Sequence, residues 1–235
     1  MIDLELIGHY APNLMDANRA FSFINFASVG SLLDRAPTSI AYFCDGMLMS
    51  TFMSRITGRT IGRVSFDFTS IADSVFSYAE KHGKRLYFVG ARQAELDLFL
   101  DKIRARYPAL MIAGHHNGYF DATQATCILA DICRSEANIL IVGLGAGLQE
   151  QFEQDALRAG FNGVAFTCGG FIRQEAAANR NYYPELINRL HLRAFYRMYR
   201  EPHTIKRYLI DYPTNFVHLW VMIVRRKVTI NIIDP

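Results

Sequence analysis

The sequence predicts an α/β protein: a doubly wound, mostly parallel sheet flanked by helices, followed by a C-terminal helical appendage. Three observations carry this. Five short apolar runs recur between residues 39 and 170, helix-like segments alternate with them, and beyond Glu185 the pattern turns basic and amphipathic. Continuous apolarity fits strands buried on both faces, as in a parallel sheet. Strands that alternate with amphipathic helices place that sheet between helical layers.

The elements follow in order. SIAYFCDG (39–46) is a strand that ends in Asp45-Gly46, with the next helix at Gly46–Met53. Thr69–Lys81 spaces Ile71, Val75, Phe76 and Ala79 at helical intervals, and His82-Gly83 then forms a glycine end. RLYFVGA (85–91) is a strand. Ala94–Arg106 is a helix carrying Leu96, Phe99, Leu100 and Ile103. LMIAGHHNG (110–118) is a strand, Ala122–Cys133 a helix, and NILIVGLG (138–145) a strand. Leu148–Ala159 is a helix closed by Gly160, and GVAFTCGG (163–170) is the last strand of the series. We divide the chain into an α/β domain, 1–184, and an appendage, 185–235, interrupted by Glu201-Pro202 and Tyr212-Pro213.

Composition bounds the function. With 235 residues, 51% hydrophobic and 20% charged, the chain is long enough for a substantial core and is not disordered. A net charge of +3 does not imply nucleic acid. The basic charge is concentrated late, with Arg189, Arg193, Arg197, Arg200, Lys206 and Arg207 against Glu201, then Arg225, Arg226 and Lys227. Cys44, Cys127, Cys133 and Cys168 make no C-x-x-C pair and read as reduced, mostly buried thiols. The N-terminus has no signal-peptide pattern, and no apolar stretch reaches the ~18 residues of a membrane span. FVHLWVMIV (216–224) is expected to be a strand or to rest on a membrane surface.

Ligands of such sheets bind beyond the C-terminal strand ends, and glycine stands at nearly every one here. Gly143-Leu144-Gly145-Ala146-Gly147 suggests a dinucleotide turn, but the next strand ends Phe166-Thr167-Cys168-Gly169-Gly170 without the acid such a site needs. No P-loop and no Asp-x-Asp metal motif occurs. Asp45 should point into the crevice, either as a cap of the next helix or as a general base or ligand acceptor. His115-His116 face opposite ways on a strand and suit no shared metal; one should line the crevice. Gln149-Glu150 is either a solvated first helical turn or a wall that contacts a sugar or base.

The motifs recur in a recognisable order: Asp45-Gly46, Tyr87-Phe88-Val89-Gly90, Tyr107-Pro108, Gly114, Asn117-Gly118-Tyr119-Phe120, Val142-Gly143-Leu144-Gly145, Gln149-Glu150, Gly169-Gly170, Tyr196-Arg197, Glu201-Pro202 and Lys206-Arg207. Over roughly Asn25 to Tyr208 this resembles the WecG/TagA/CpsF family of bacterial glycosyltransferases.

The resemblance implies a Rossmann-like sheet and an inverting, metal-independent transfer from a UDP-sugar to a polyprenyl-diphosphate-linked acceptor. No cofactor is expected. The place implied is the cytoplasmic, inner face of the bacterial membrane, with the basic appendage on the anionic surface. The oligomeric state is left open, a homo-oligomer included. Asp45 aligns with the family's catalytic base, and Arg63 with an arginine after the following helix. Asn25, Gly90, Asn117, Gly143, Gly145, Gln149, Glu150, Gly169, Gly170, Arg197 and Arg207 are the implied UDP-sugar contacts, Arg197 and Arg207 meeting the diphosphate. The chain departs from the family at Phe23, Gly147-Leu148, Tyr182-Tyr183, Arg193-Ala194 and Thr204. These departures motivate a second expectation, a nucleotide-sugar-binding module with weak or no activity.

Overall fold

A computed structural model describes residues 2–35, 40–178, 187, 189–190 and 192–233. Among these residues eight strands form one sheet: β1 Ile2–Ile7, β2 Ala20–Ile24, β3 Ile40–Cys44, β4 Arg85–Gly90, β5 Met111–His116, β6 Ile139–Gly143, β7 Val164–Thr167 and β8 Val228–Ile233. Their order across the sheet is β5-β4-β6-β7-β2-β3-β1-β8, and every recorded pairing is parallel. The helices are α1 Val29–Arg35, α2 Met47–Thr57, α3 Ala72–Lys81, α4 Gln93–Arg106, α5 Ala122–Arg134, α6 Leu148–Arg158, α7 Phe171–Ala177, α8 Arg193–Arg200 and α9 Tyr212–Val224.

The apolar runs are continuous because alternate side chains enter two different cores. On one face Phe21, Ala41, Phe43, Leu86, Phe88, Ile139, Ile141 and Phe166 pack against α3, α4 and α7. On the other Ile24, Tyr42, Cys44, Tyr87, Val89, Leu140, Val142 and Ala165 pack against α1, α2, α5, α6 and Leu219 of α9. All five residues of β3 are buried. The five expected strands and five expected helices are present, and the glycine ends are real: Gly83 and Gly160 adopt φ of 62° and 105°.

Three features differ from expectation. β1, β2 and β8 lie outside the five expected strands; IDLELI and VTINII alternate polar and apolar residues instead of running continuously apolar. That is the pattern of strands near an open edge, partly exposed to solvent. The stretch 216–224 is not a strand but part of α9, with Pro213 in its first turn, where a missing N–H costs nothing. The C-terminal stretch is not helical throughout: β8 pairs with β1 from Ile2↔Val228 to Ile7↔Ile233. The expected boundary at 184/185 and the departure at Tyr182-Tyr183 lie outside the described residues. Cys44 and Cys168 are buried, whereas Cys127 is exposed and Cys133 half-buried. Burial pushes the Cys44 thiol up to about 12, as suits an inert core residue.

One core group is anomalous. Glu153 of α6 is fully buried, and neither of its carboxyl oxygens has a hydrogen-bond partner among the described residues. Burial, and then the nearby charge of Glu150, raise it well above the usual 4.5. A carboxyl whose folded-state value is raised loses stability as pH climbs from its unfolded value toward the folded one. Glu153→Gln is therefore expected to raise the melting temperature more at pH 8 than at pH 5. Equal shifts at both pH values would show that Glu153 is not held protonated.

Candidate functional site

The ends of β2, β3, β6 and β7, together with α2, α7, α8 and α9, enclose one crevice of about 2080 Å³. Two strand ends supply its central pair. The amide oxygen of Asn25, just after β2, accepts from the backbone N–H groups of Ala27 (2.9 Å) and Ser28 (3.2 Å). That fixes which way the amide faces, so its Nδ2 donates to Asp45 Oδ2 at 3.2 Å. Asp45 does not cap α2. Gly46 occupies the N-cap, with φ of 94°, and the carboxylate turns toward Asn25 and Arg63.

Arg63 reaches this pair because residues 63 and 64 run alongside the end of β3, with Val64 N–H donating to the Cys44 carbonyl at 2.9 Å. Its guanidinium lies 3.9 Å from Asp45, 3.5 Å from Asp67 and 2.5 Å from Ser65 Oγ. Ser65 in turn donates to Asp67 at 2.7 Å. Arg63 is thereby braced by Asp67 and held beside Asp45.

The C-terminal segment supplies the rest. A π-helical turn, Arg207–Asp211, leads into α9. Arg207 donates to the same Asn25 oxygen at 3.3 Å. Its buried Nε has no hydrogen-bond partner, and no carboxylate pairs with it, among the described residues. Arg197 of α8 lies beside Gly170 and 3.9 Å from Glu201, which also takes Arg173 at 2.7 Å and Gln174 at 3.3 Å. Tyr212 completes the wall, its hydroxyl pushed up by burial and then by the charge of Asp45.

Of the expected residues, Asn25, Asp45, Arg63, Gly145, Gln149, Gly169, Gly170, Arg197 and Arg207 line the crevice. Gln149 presents a buried amide oxygen that has no partner among the described residues, a ready acceptor for a ligand N–H or O–H. Four others are placed elsewhere. Glu150 is fully buried beneath the turn, where it takes the Gly147 N–H at 2.6 Å, Ser22 Oγ at 2.7 Å and the Gln149 amide at 3.0 Å. It is a brace for the start of α6, not a wall. Gly90 and Gly143 permit strand ends to touch: a Cβ on Gly90 would lie 2.7 Å from the Gly143 carbonyl oxygen, and one on Gly143 would lie 2.9 Å from Cys168 Sγ. Asn117 folds back on its own turn, accepting from Tyr119 N–H at 2.9 Å. Neither His115 nor His116 lines the crevice; His116 packs on Phe120 instead. At the departure Gly147-Leu148, Leu148 is 57% exposed and outside the lining.

Sequence reasoning missed Ser65, Asp67, Arg173, Gln174, Glu201 and Tyr212 as neighbours of the site. Tyr212 was visible only as the residue before a proline, and Glu201 as a motif residue and the lone acid of a basic stretch.

A model of the glycosyl transferase WecG/TagA/CpsF family matches residues 32–229. The chain is 33% identical over 171 residues to a protein of Shigella boydii, over 73% of this chain and 72% of that one. That relative is a UDP-Gal:alpha-D-GlcNAc-diphosphoundecaprenol beta-1,4-galactosyltransferase. Two relatives are described as N-acetylglucosaminyldiphosphoundecaprenol N-acetyl-beta-D-mannosaminyltransferase. The one from Bacillus subtilis is 28% identical over 159 residues, 67% of this chain and 60% of its own length. The one from Bacillus spizizenii is 27% identical over 156 residues, 66% and 56% respectively. The chain thus spans less than two thirds of either Bacillus protein.

Asn25 is the joint between Asp45 and Arg207, so its loss should misplace both. Asn25→Ala is expected to lower the rate of sugar transfer roughly 100-fold, the usual cost of misplacing a reacting group by about 1 Å. An unchanged rate, with the same melting temperature, would show that the joint has no part in positioning Asp45.

Proposed function

The chain belongs to the WecG/TagA/CpsF family of glycosyltransferases, and on that premise we propose that it moves a hexose or N-acetylhexosamine-type sugar from a UDP-sugar to a lipid-diphosphate-linked acceptor, with inversion and without a metal ion. The observation that carries this is the carboxylate of Asp45, aimed by Asn25 into a crevice that also holds Arg207 without an ion-pair partner among the described residues.

In this mechanism Asp45 takes the proton of the acceptor hydroxyl, and the oxygen attacks the anomeric carbon from the face opposite UDP. The bond from that carbon to the β-phosphate oxygen breaks, and its electron pair leaves with UDP. Arg207, Arg197 and Arg63 neutralise the growing charge. Guanidinium groups suit this task because they pair with phosphate in two-pronged geometry. Gln149, Gly145, Gly169 and Gly170 border the space left for the nucleotide or sugar. Residues 1–184 would then carry the donor site and the base, and residues 185–235 would deliver Arg197 and Arg207. The relatives named above supply the acceptor class, an undecaprenol-diphosphate-linked sugar.

A membrane-borne acceptor requires the enzyme to work at a surface. Among the described residues no helix is long and apolar enough to cross a membrane. On α8 Phe195 and Tyr199 are 66% and 82% exposed, next to the exposed Arg200. Apolar and basic side chains together on an outer face suit peripheral contact with an anionic leaflet.

The test is UDP release in the presence of UDP-sugars and a lipid-diphosphate acceptor. Asp45→Asn is expected to slow release by about 10²–10⁴-fold, the usual worth of a general base, while UDP still binds. Equal release by both proteins would remove Asp45 as the base. UDP binding without turnover, across all donors and acceptors, would instead identify a binding module. Arg207→Ala is expected to weaken UDP binding about tenfold or more, in keeping with loss of a charge-assisted contact. Isothermal titration reads that change directly.

A further inference from the structure

The crevice has a second half that the transfer chemistry does not use. Away from Asp45 it continues between α2 and α9, and its character changes from charged to apolar. Leu48, Phe52 and Ile56 form one side, and Phe216, Trp220 and Val224 form the other. The two sides meet ring against ring, Phe52 lying 5.2 Å from Phe216 and 6.1 Å from Trp220. Below them Phe26 contacts both Phe52 and Phe216, closing the floor. The upper side chains remain open: Leu48 is 67%, Trp220 48% and Val224 63% exposed. Arg55, at the end of α2, is exposed at the rim, where its long stem can lie along apolar surface while its head stays in water. Large open apolar surface of this kind marks a binding site.

We propose that this α2–α9 trough holds the isoprenoid tail of the acceptor. The inference rests on the acceptor being lipid-linked, and it follows from the order of parts in such a molecule. The acceptor is a sugar, then a diphosphate, then a long hydrocarbon. Its hydroxyl must sit at Asp45 to be deprotonated, which puts the diphosphate about one sugar ring away from Asp45. The hydrocarbon then has to leave through a part of the crevice without buried charge, and the trough is continuous with the Asp45 end of the same crevice. Helices α2 and α9 both begin beside Asp45: Gly46 precedes α2, and Tyr212 at the start of α9 feels the Asp45 charge. A tail laid between them is drawn away from the reacting atoms.

The chain offers its own probe, because its single tryptophan is Trp220. Undecaprenyl diphosphate in detergent micelles, titrated into the full chain, should shift the Trp220 emission to shorter wavelength in a saturable way. Inorganic diphosphate and empty micelles should not. Leu48→Ser alters an exposed wall residue and should weaken this binding about tenfold, the effect of losing one apolar contact of that size. UDP binding and the melting temperature should stay as in the wild type. The absence of a saturable shift, or an equal affinity in Leu48→Ser, would overturn the proposal. A shift produced just as well by phosphatidylglycerol vesicles free of polyprenyl lipid would also overturn it, and would make the face a bilayer contact. A saturable shift in a protein that transfers no sugar to any lipid-linked acceptor would keep the trough and remove the transfer reaction instead.

Discussion

A parallel sheet covered on both faces has nowhere to display chemistry except at the ends of its strands. Here the constraint is tight: β3 is buried along its whole length, and the alternate residues of β2, β4, β6 and β7 are divided between two apolar cores. The sheet's own share of the site is therefore set where the chain leaves its strands, and the C-terminal segment adds Arg197 and Arg207. The loops of β2 and β3 are adjacent because the strands pair in register, Ile24 opposite Cys44. That one pairing puts Asn25 beside Asp45. The same register lets residues 63 and 64 run on beside β3 and carry Arg63 to the pair.

The site is assembled from distant segments by shared acceptors more than by direct contact between opposite charges. One amide oxygen, on Asn25, takes its own turn and Arg207 from the C-terminal segment. One carboxylate, on Glu201, takes Arg173 and Gln174 and lies 3.9 Å from Arg197. Beneath the glycine turn Glu150 does the same for Ser22, Gly147 and Gln149. Each shared acceptor satisfies several donors that would otherwise be costly to bury, and so holds its segments at fixed spacing.

β3, β4, β6 and β7, with helices α2 to α6, were legible because both-face burial leaves a continuous apolar signature, whereas β2, α1 and α7 were not picked out. Near the open edge of the sheet that signature fails. β1 and β8 mix Asp3, Glu5, Thr229 and Asn231 with apolar residues, and a single sequence offers no sign that two segments more than two hundred residues apart are neighbours. The site divided similarly. Asp45, Gln149 and the appendage arginines could be located from strand ends and motif order. Glycines could not be sorted, because a glycine that makes room for a ligand looks the same as one that makes room for its neighbour, as Gly90 does for Gly143. Glu150 was misplaced because an acid in a first helical turn reads as solvated, whereas here it is fully buried and bonded to Ser22 of the central strand β2. Ser65 and Asp67 carried no signal, since their part is to brace Arg63.

The pairing of β8 with β1 has a mechanical consequence. The segment bearing Arg197 and Arg207 is secured at both ends, by α7 on one side and by the sheet on the other. Its arginines are thus presented by a closed loop and not by a free tail, and they stay at high effective concentration over the crevice. Any outward swing has to be a bowing of that loop between two fixed anchors. Loss of β8 would convert the loop into a dangling arm, dilute its arginines, and bare the polar backbone edge of β1.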